Sequence, residues 1–425
     1  MTSYLPGLVS LLCLLAPSLG AQAGTAGQAS PDSELLYVVY LSRHGVRSPT
    51  GKASQYNLYS TGAWPEWPVP PGFLTPHGFH LMELFGAFDR SLLAREGLLQ
   101  STGCTDAAHI TIYADSDQRT RETGKALARG LLPGCDLAVH ALPEGTNDPV
   151  FHALGDNSGK ADPLLATAAV AGRLSARPQN LTDAYRPQLL ALDRILACAP
   201  AQAGKPPRTS LLDIPARLSQ GTGDHLVDLK GPLNTASTLA ENLMLEYTEG
   251  MDPSAVAWGC AGRNDIAAAL SLHAAATDYT QRTPVIARAQ ASNLLDGIRK
   301  SLLQAAAGKP VAGSFGKSGD RLLILVGHDT NQENLAGLLG LNWIVDGRRD
   351  DTPPGGSLVF ELWRSKSSGK FFVRTFFTAQ TLEQMRSSVP LTEPQAPDRA
   401  AVFIPGCSGA DMSCQLQDFS SLPLP

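Results

Sequence analysis

The chain has 425 residues, 43% of them hydrophobic and 17% charged, with a formal net charge of -5. That composition is globular, is long enough for more than one domain, and lacks the basic excess of a nucleic-acid binder. Any site for an anion must therefore be built from local positive charge.

Residues 1–23 carry no charged side chain. The apolar stretch Leu8–Ala16 and the small-x-small Ala21-Gln22-Ala23 predict a signal peptide, although no Lys or Arg precedes the apolar stretch. No later run is apolar enough to span a bilayer. The expectation is a periplasmic or secreted protein without membrane association after cleavage.

Leu35–Leu41 (LLYVVYL) is a short apolar run rich in Val and Tyr, the pattern of a buried parallel strand. It leads into Arg43-His44-Gly45-Val46-Arg47-Ser48-Pro49-Thr50. Residues 51–74, with their Trp-Pro pairs, predict an irregular loop. Thr75-Pro76 supplies an N-cap and a first-turn proline for a helix, with Leu81, Phe85, Phe88 and Leu92 on one face. Ile110–Ala114 (ITIYA) predicts a second strand. Asp115-Ser116-Asp117 then opens a helix that carries Arg119 in its first turn and Thr123, Ala126, Leu127 and Leu131 on its apolar face. Leu137–His140 predicts a third strand.

Between residues 147 and 290 strand-like runs give way to Ala- and Leu-rich segments of helical period: Pro163–Ala171, Tyr185–Ala197, Thr235–Thr248 and Asp265–Thr277. Leu322–Val326 (LLILV) is again a buried strand, running into Gly327-His328-Asp329-Thr330-Asn331. Ser357–Trp363 and Phe371–Phe377, joined through Ser367-Ser368-Gly369, predict a hairpin. The fold expected is α/β: a mostly parallel sheet flanked by helices, with a second, mainly helical domain inserted. Residues 24–146 and 291–425 form the α/β domain in this reading, and residues 147–290 the insertion.

Three polar motifs directly follow predicted strands, where open α/β sheets place their ligands. Arg43 and Arg47 flank His44, and a guanidinium suits bidentate contact with phosphate oxygens. A neutral imidazole with a free nitrogen can attack phosphorus, and Gly45 leaves room for close backbone approach. His328 meets His44 at one sheet edge if their strands are parallel neighbours. Arg119 adds a third cation at a helix N-terminus that already favours anions. No C-x-x-C or H-x-x-x-H spacing suggests a metal site, and no cofactor is expected. His77, His80, His109, His140, His152 and His225 lack such company and are expected to be structural or exposed.

Seven cysteines are present, six after loss of Cys13 with the leader. Cys407 and Cys414 have the spacing of a small disulfide loop. Cys104 and Cys135 flank a strand-helix segment, which leaves Cys198 and Cys260. Sequence alone permits fifteen pairings of six cysteines.

The R-H-G-x-R-x-P pattern at Arg43–Pro49 and the late His328-Asp329 resemble the histidine acid phosphatase family. Further likeness runs through Ala63-Trp64-Pro65, Trp67-Pro68-Val69, Leu74-Thr75-Pro76, Arg119-Thr120-Arg121 and Asp351-Thr352-Pro353-Pro354-Gly355-Gly356, nearly the whole mature chain. The branch most resembled is that of bacterial periplasmic phytases and glucose-1-phosphatases. Thr330 is similar to the phytase form; the glucose-1-phosphatase form has Ser there.

The resemblance implies that His44 becomes phosphorylated. Arg43, Arg47, Arg119 and His328 would bind the phosphoryl group, and a protonated Asp329 would act as general acid, favouring acid pH. It also implies substrate contacts from Thr50 and from His273 at the pocket mouth, and disulfides 104/135 and 407/414. Some phytases carry Lys directly after the motif; here Gly51 stands there and Lys52 follows. The expected partner is a small phosphomonoester, phytate ahead of glucose 1-phosphate. A non-catalytic phosphate-ester binder is the rival reading, but it has no use for an acid at Asp329. A phosphoglycerate mutase shares the R-H-G start but fits poorly with a leader and paired cysteines.

Overall fold

The computed structural model describes residues 32–155, 161–201 and 204–422; the expected signal peptide lies outside them. Four parallel strands form the half of the main sheet that matters for function. β1 (Ser33–Arg43) pairs with β6 (Leu322–Gly327), β6 with β2 (Ile110–Ala114), and β2 with the two-residue β3 (Val139–His140). On its other side β1 pairs antiparallel with β9 (Ser357–Ser365), the first arm of the expected hairpin, and β9 with β10 (Phe371–Ala379). β11 (Asp398–Ala401) and β12 (Ser413–Gln415) pair antiparallel with β10. The sheet is thus mixed, with its parallel half carrying the strand ends of interest.

Period-two alternation sends successive β1 side chains to opposite faces. Tyr37, Val39 and Leu41 pack with helices α9 (Pro284–Ala307), α10 (Asp329–Leu339) and α12 (Leu416–Ser421). Val38 and Tyr40 pack with α2 (Pro76–Arg95) and α3 (Gln118–Leu131). The Thr75 side chain caps α2 by accepting from Gly78 N at 2.9 Å, with Pro76 in the first turn. Within the loop at 51–74 the short helix α1 (Ala53–Tyr56) forms.

A third core joins α4 (Pro163–Arg173), α5 (Gln179–Ala184), α6 (Arg186–Cys198), α7 (Pro232–Thr248) and α8 (Arg263–Thr280). It also contains a feature with no apolar run to announce it: the hairpin of β4 (Arg217–Gln220) and β5 (Val227–Lys230). Its strands alternate, but β4 is largely exposed, so the sequence there shows no buried stretch. The expected boundary at residue 290 falls inside α9, which runs unbroken from Pro284. The described residues also form a short hairpin of β7 (Ile344–Val345) and β8 (Arg348–Arg349) and the helix α11 (Leu382–Ser387). Disulfides join Cys104 to Cys135, Cys198 to Cys260 and Cys407 to Cys414. Among the described residues no helix is long and apolar enough to cross a membrane.

Glu246 on α7 is buried, and its Oε2 accepts Ala257 N–H at 2.8 Å. That bond pins a turn in which Ala257 and Trp258 hold positive φ. Burial, against this hydrogen bond, pushes the Glu246 carboxyl up to about 8. The fold therefore holds a proton that an unfolded Glu releases near pH 4. The stabilisation is full below that value and lost as pH rises through the folded value. Glu246→Gln keeps the neutral form at every pH. Its stability relative to wild type should improve by about 3 kcal/mol between about pH 5 and about pH 8. Urea midpoints at the two pH values measure this; a pH-independent difference would mean that the carboxyl is ionised in the fold.

Candidate active site

The register of β1 and β6 places Arg43 opposite Gly327, and His44 N donates to Gly327 O at 3.0 Å. His44 and His328, far apart in sequence, therefore stand side by side, with ring centroids 5.7 Å apart. Asp115 N donates to Val326 O at 2.9 Å, which brings the end of β2 and the start of α3 to the same edge. The three strand-end motifs meet in one place.

His44 is 2% exposed. Its Nδ1 lies 2.9 Å from Gly45 O; a carbonyl only accepts, so Nδ1 carries the proton and Nε2 keeps its lone pair. Burial, and then Arg119, Arg43 and Arg47, hold the imidazole well below its usual range, so it stays neutral. Gly45 has a role other than phosphate approach: a Cβ there would meet Met82 Cγ at 2.8 Å and Gly78 O at 3.1 Å. Its N–H donates to Thr123 Oγ1 at 2.9 Å, tying the loop to α3.

Glu241, on α7, occupies the arginine cluster. One of its carboxylate oxygens pairs closely with Arg43 and lies 3.2 Å from Arg47 Nη2. Asp329 Oδ2 lies 3.0 Å from Arg43 Nη2. Burial raises both carboxyls, but the guanidiniums outweigh it and hold both below the usual carboxylate range. Asp329 is therefore ionised in the free site, where the sequence led us to expect a protonated acid. Arg119 Nη2 lies 2.6 Å from Asp117 and 3.3 Å from His328 Nδ1. These three guanidiniums converge on a region where the free protein supplies its own carboxylates.

His273, on α8, is buried beside this cluster. Its Nδ1 is 3.0 Å from Ser237 Oγ, and its Nε2 is buried with no protein partner. Thr50 is exposed at the rim: a Cβ built on Gly72 would lie 3.7 Å from both Thr50 Cγ2 and Arg119 Nη1. Gly51 N donates to Tyr56 Oη at 2.8 Å, and a Cβ at Gly51 would stand 2.4 Å from that oxygen. A lysine is thus excluded from position 51 unless Tyr56 moves. Lys52 is exposed and faces a cavity of about 380 Å³ walled by Tyr56, Trp64 and Trp67.

Sequence reasoning missed Glu241 and His152. Glu241 lies on α7 together with a second acid, Glu246, and several polar residues, so its place in the sequence did not single it out. His152 was expected to be structural or exposed, yet its Nε2 lies 2.9 Å from Asp115 Oδ2, the oxygen that also binds His328 Nε2 at 2.6 Å. Among the described residues, Asp115, His152 and His328 also form a group of metal-ligand composition. Their ligand atoms are already joined by these hydrogen bonds.

The chain is similar to known proteins along nearly its whole length. Phytase AppA of Escherichia coli (strain K12) is 34% identical over 98% of this chain and 96% of its own length. The glucose-1-phosphatase of Providencia rettgeri is 28% identical over 96% of this chain and 95% of its own. The structure of Hafnia alvei phytase in complex with myo-inositol hexakis sulphate superposes with a TM-score of 0.81 at 35% identity, covering 92% of this chain and 96% of that one. The family model of the histidine phosphatase superfamily (branch 2) matches residues 34–190 and 246–378, which include both histidine motifs and Arg119 but not Glu241. By its strand-end motifs, its fold and this match, the chain belongs to the histidine phosphatase superfamily, branch 2.

Proposed function

We propose that the chain is a secreted or periplasmic acid phosphomonoesterase that works through a phosphohistidine at His44 and prefers phytate. The observation that carries the chemistry is the neutral His44, with Nε2 free, set among Arg43, Arg47 and Arg119. His44 Nε2 attacks phosphorus while the ester oxygen leaves. The guanidiniums and His328 hold the non-bridging oxygens, and positioning with charge stabilisation supplies most of the catalysis. Asp329 protonates the departing alkoxide. Water then attacks the phosphohistidine, with Asp329 taking its proton, and His44 is released.

The ionised Asp329 of the free site fits an acid optimum in a specific way. A phosphomonoester loses its second proton near pH 6. Below that it enters as a monoanion and brings the proton with it. Its charge also offsets the guanidiniums that hold Asp329 ionised.

For phytate, the support is the greater identity to phytases than to glucose-1-phosphatases and a rim that carries Thr50 and the exposed Lys52. Three disulfides suit an oxidising compartment. Both substrates are to be assayed at acid pH in one buffer and salt, since contacts to exposed phosphates are screened. The kcat/KM ratio should favour phytate over glucose 1-phosphate. A ratio favouring glucose 1-phosphate would make the chain a sugar phosphatase and leave the chemistry at His44 untouched.

A further inference from the structure

Among the described residues, the ion pairs of His152 are to carboxylates and not to the arginines of the site. Its Nε2 is 2.9 Å from Asp115 Oδ2 and its Nδ1 is 3.2 Å from Asp224 Oδ2. The same Asp115 oxygen accepts from His328 Nε2 at 2.6 Å, and the two imidazole rings are 5.3 Å apart. Asp115 is fully buried, and its Oδ1 has no protein partner. One buried carboxylate is thus shared by two imidazoles, and it cannot fully neutralise two imidazolium cations at that range.

His152 is fixed there by groups from both parts of the chain. Asn331, in the His328 motif, accepts from His328 N at 2.9 Å and donates to Phe151 O at 2.7 Å. Asp224 comes from the tip of the β4–β5 hairpin. A small cavity of about 130 Å³, lined by His152, Asp224, His225 and Thr330 among others, lies on this side. The His152 side chain is itself partly exposed, so it can exchange protons with solvent.

We propose that His152 is a positioning residue: as an imidazolium held between Asp115 and Asp224, it offsets the charge of Asp115 and thereby sets the pH at which His328 takes its second proton. The inference rests on the reading of His328 as a donor to the phosphoryl group. In the free site Arg119 Nη2 faces His328 Nδ1 at 3.3 Å, so Nδ1 is the acceptor and His328 is the neutral Nε2–H form. To donate to a phosphoryl oxygen through Nδ1, it must gain a proton while keeping its bond to Asp115.

The surrounding charges act in both directions. His328 faces Asp115 from the end of β2, Asp117 at 3.7 Å from the turn before α3, Arg119 from α3, His44 from the loop after β1, Asp329 from α10, and His152. Burial holds His328 below its usual range. The Asp115 hydrogen bond opposes this, while Arg119 and His152 add to it. His152 faces Asp115, Asp224 and Asp117. Its hydrogen bond to Asp115 raises it against burial, so it is the one that charges first.

The test compares wild type, His152→Asn, His152→Lys and Asp224→Asn. His328 is followed by side-chain nitrogen NMR in the free protein, and kcat/KM is followed against pH with an aryl phosphate. His152→Asn keeps an N–H for Asp115 but removes the cation. The His328 titration and the alkaline limb of the profile should both move to higher pH, by about one unit. Asp224→Asn, which loosens the hold on the His152 proton, should move both the same way by less. His152→Lys, which restores a cation, should return both towards wild type. A His328 titration that stays within about 0.2 unit of wild type in His152→Asn, or moves to lower pH, overturns the proposal, as does a loss of kcat or melting temperature with no shift. If His152→Asn does not fold, Asp224→Asn decides on the same criterion of direction. A protein with no phosphatase activity would sink the catalytic reading alone, because the titration in the free protein still reports the coupling.

Discussion

His44→Ala should abolish turnover, with a fall of about 10⁴-fold or more, because the ring that the three guanidiniums surround, and whose Nε2 is free to reach phosphorus, is gone. The arginines do not depend on the ring: Arg43 also bonds Thr352 O at 2.6 Å, and Arg47 bonds Ser48 O at 3.0 Å. The variant should therefore still bind inorganic phosphate. In wild type, labelled substrate quenched without acid should leave the label on His44. The measurements are steady-state rates, phosphate binding by calorimetry, and mass spectrometry of the quenched protein. Activity retained in the variant would remove the covalent mechanism, and label found on another residue would reassign the nucleophile.

Asp329→Asn should divide substrates by their leaving groups. An alkyl phosphate expels an alkoxide that needs a proton, so its kcat should fall by about 10²- to 10⁴-fold. An aryl phosphate expels a stabilised phenolate and should lose far less. The same change removes a carboxylate lying 3.0 Å from Arg43, so phosphate should bind at least as tightly. The divergence of the two rates is the measurement. Equal losses on both esters would leave Asp329 only as a partner for Arg43.

The parts of the site that could be read from the sequence are those written as contiguous runs. Arg43–Pro49 and Gly327–Asn331 each follow a buried strand, so strand and motif announce each other, and parallel pairing does the rest. Arg119 was readable because it sits at the start of a helix next to a strand end. Glu241 and His152 are single residues whose meaning lies in what they reach across the fold. Nothing near Glu241 in the chain signals that α7 passes over Arg43, and nothing near His152 names Asp115. The ionisation of Asp329 was hidden for the same reason: it follows from distances to guanidiniums on another strand. The β4–β5 hairpin escaped because β4 buries too little to show an apolar run.

The helix α9 has a mechanical consequence. Ile286 in its first turn packs in the helical core, whereas Ala287, Ala291, Leu294, Leu295 and Ile298 pack on the sheet side. The stretch where the two cores meet, residues 286–291, contains neither Pro nor Gly, so it has no residue that readily bends a helix. From the other direction, Leu382 and Met385 of α11 pack into the helical core. One stiff rod and one docked helix therefore couple the two halves. A jaw-like closing of one half on the other would strain the first turn of this helix, so accommodation of substrate falls first to side chains that can swing, Glu241 and Asp329 among them. The same coupling predicts that the two halves unfold together, so that damage to either core loosens the frame that holds the arginines.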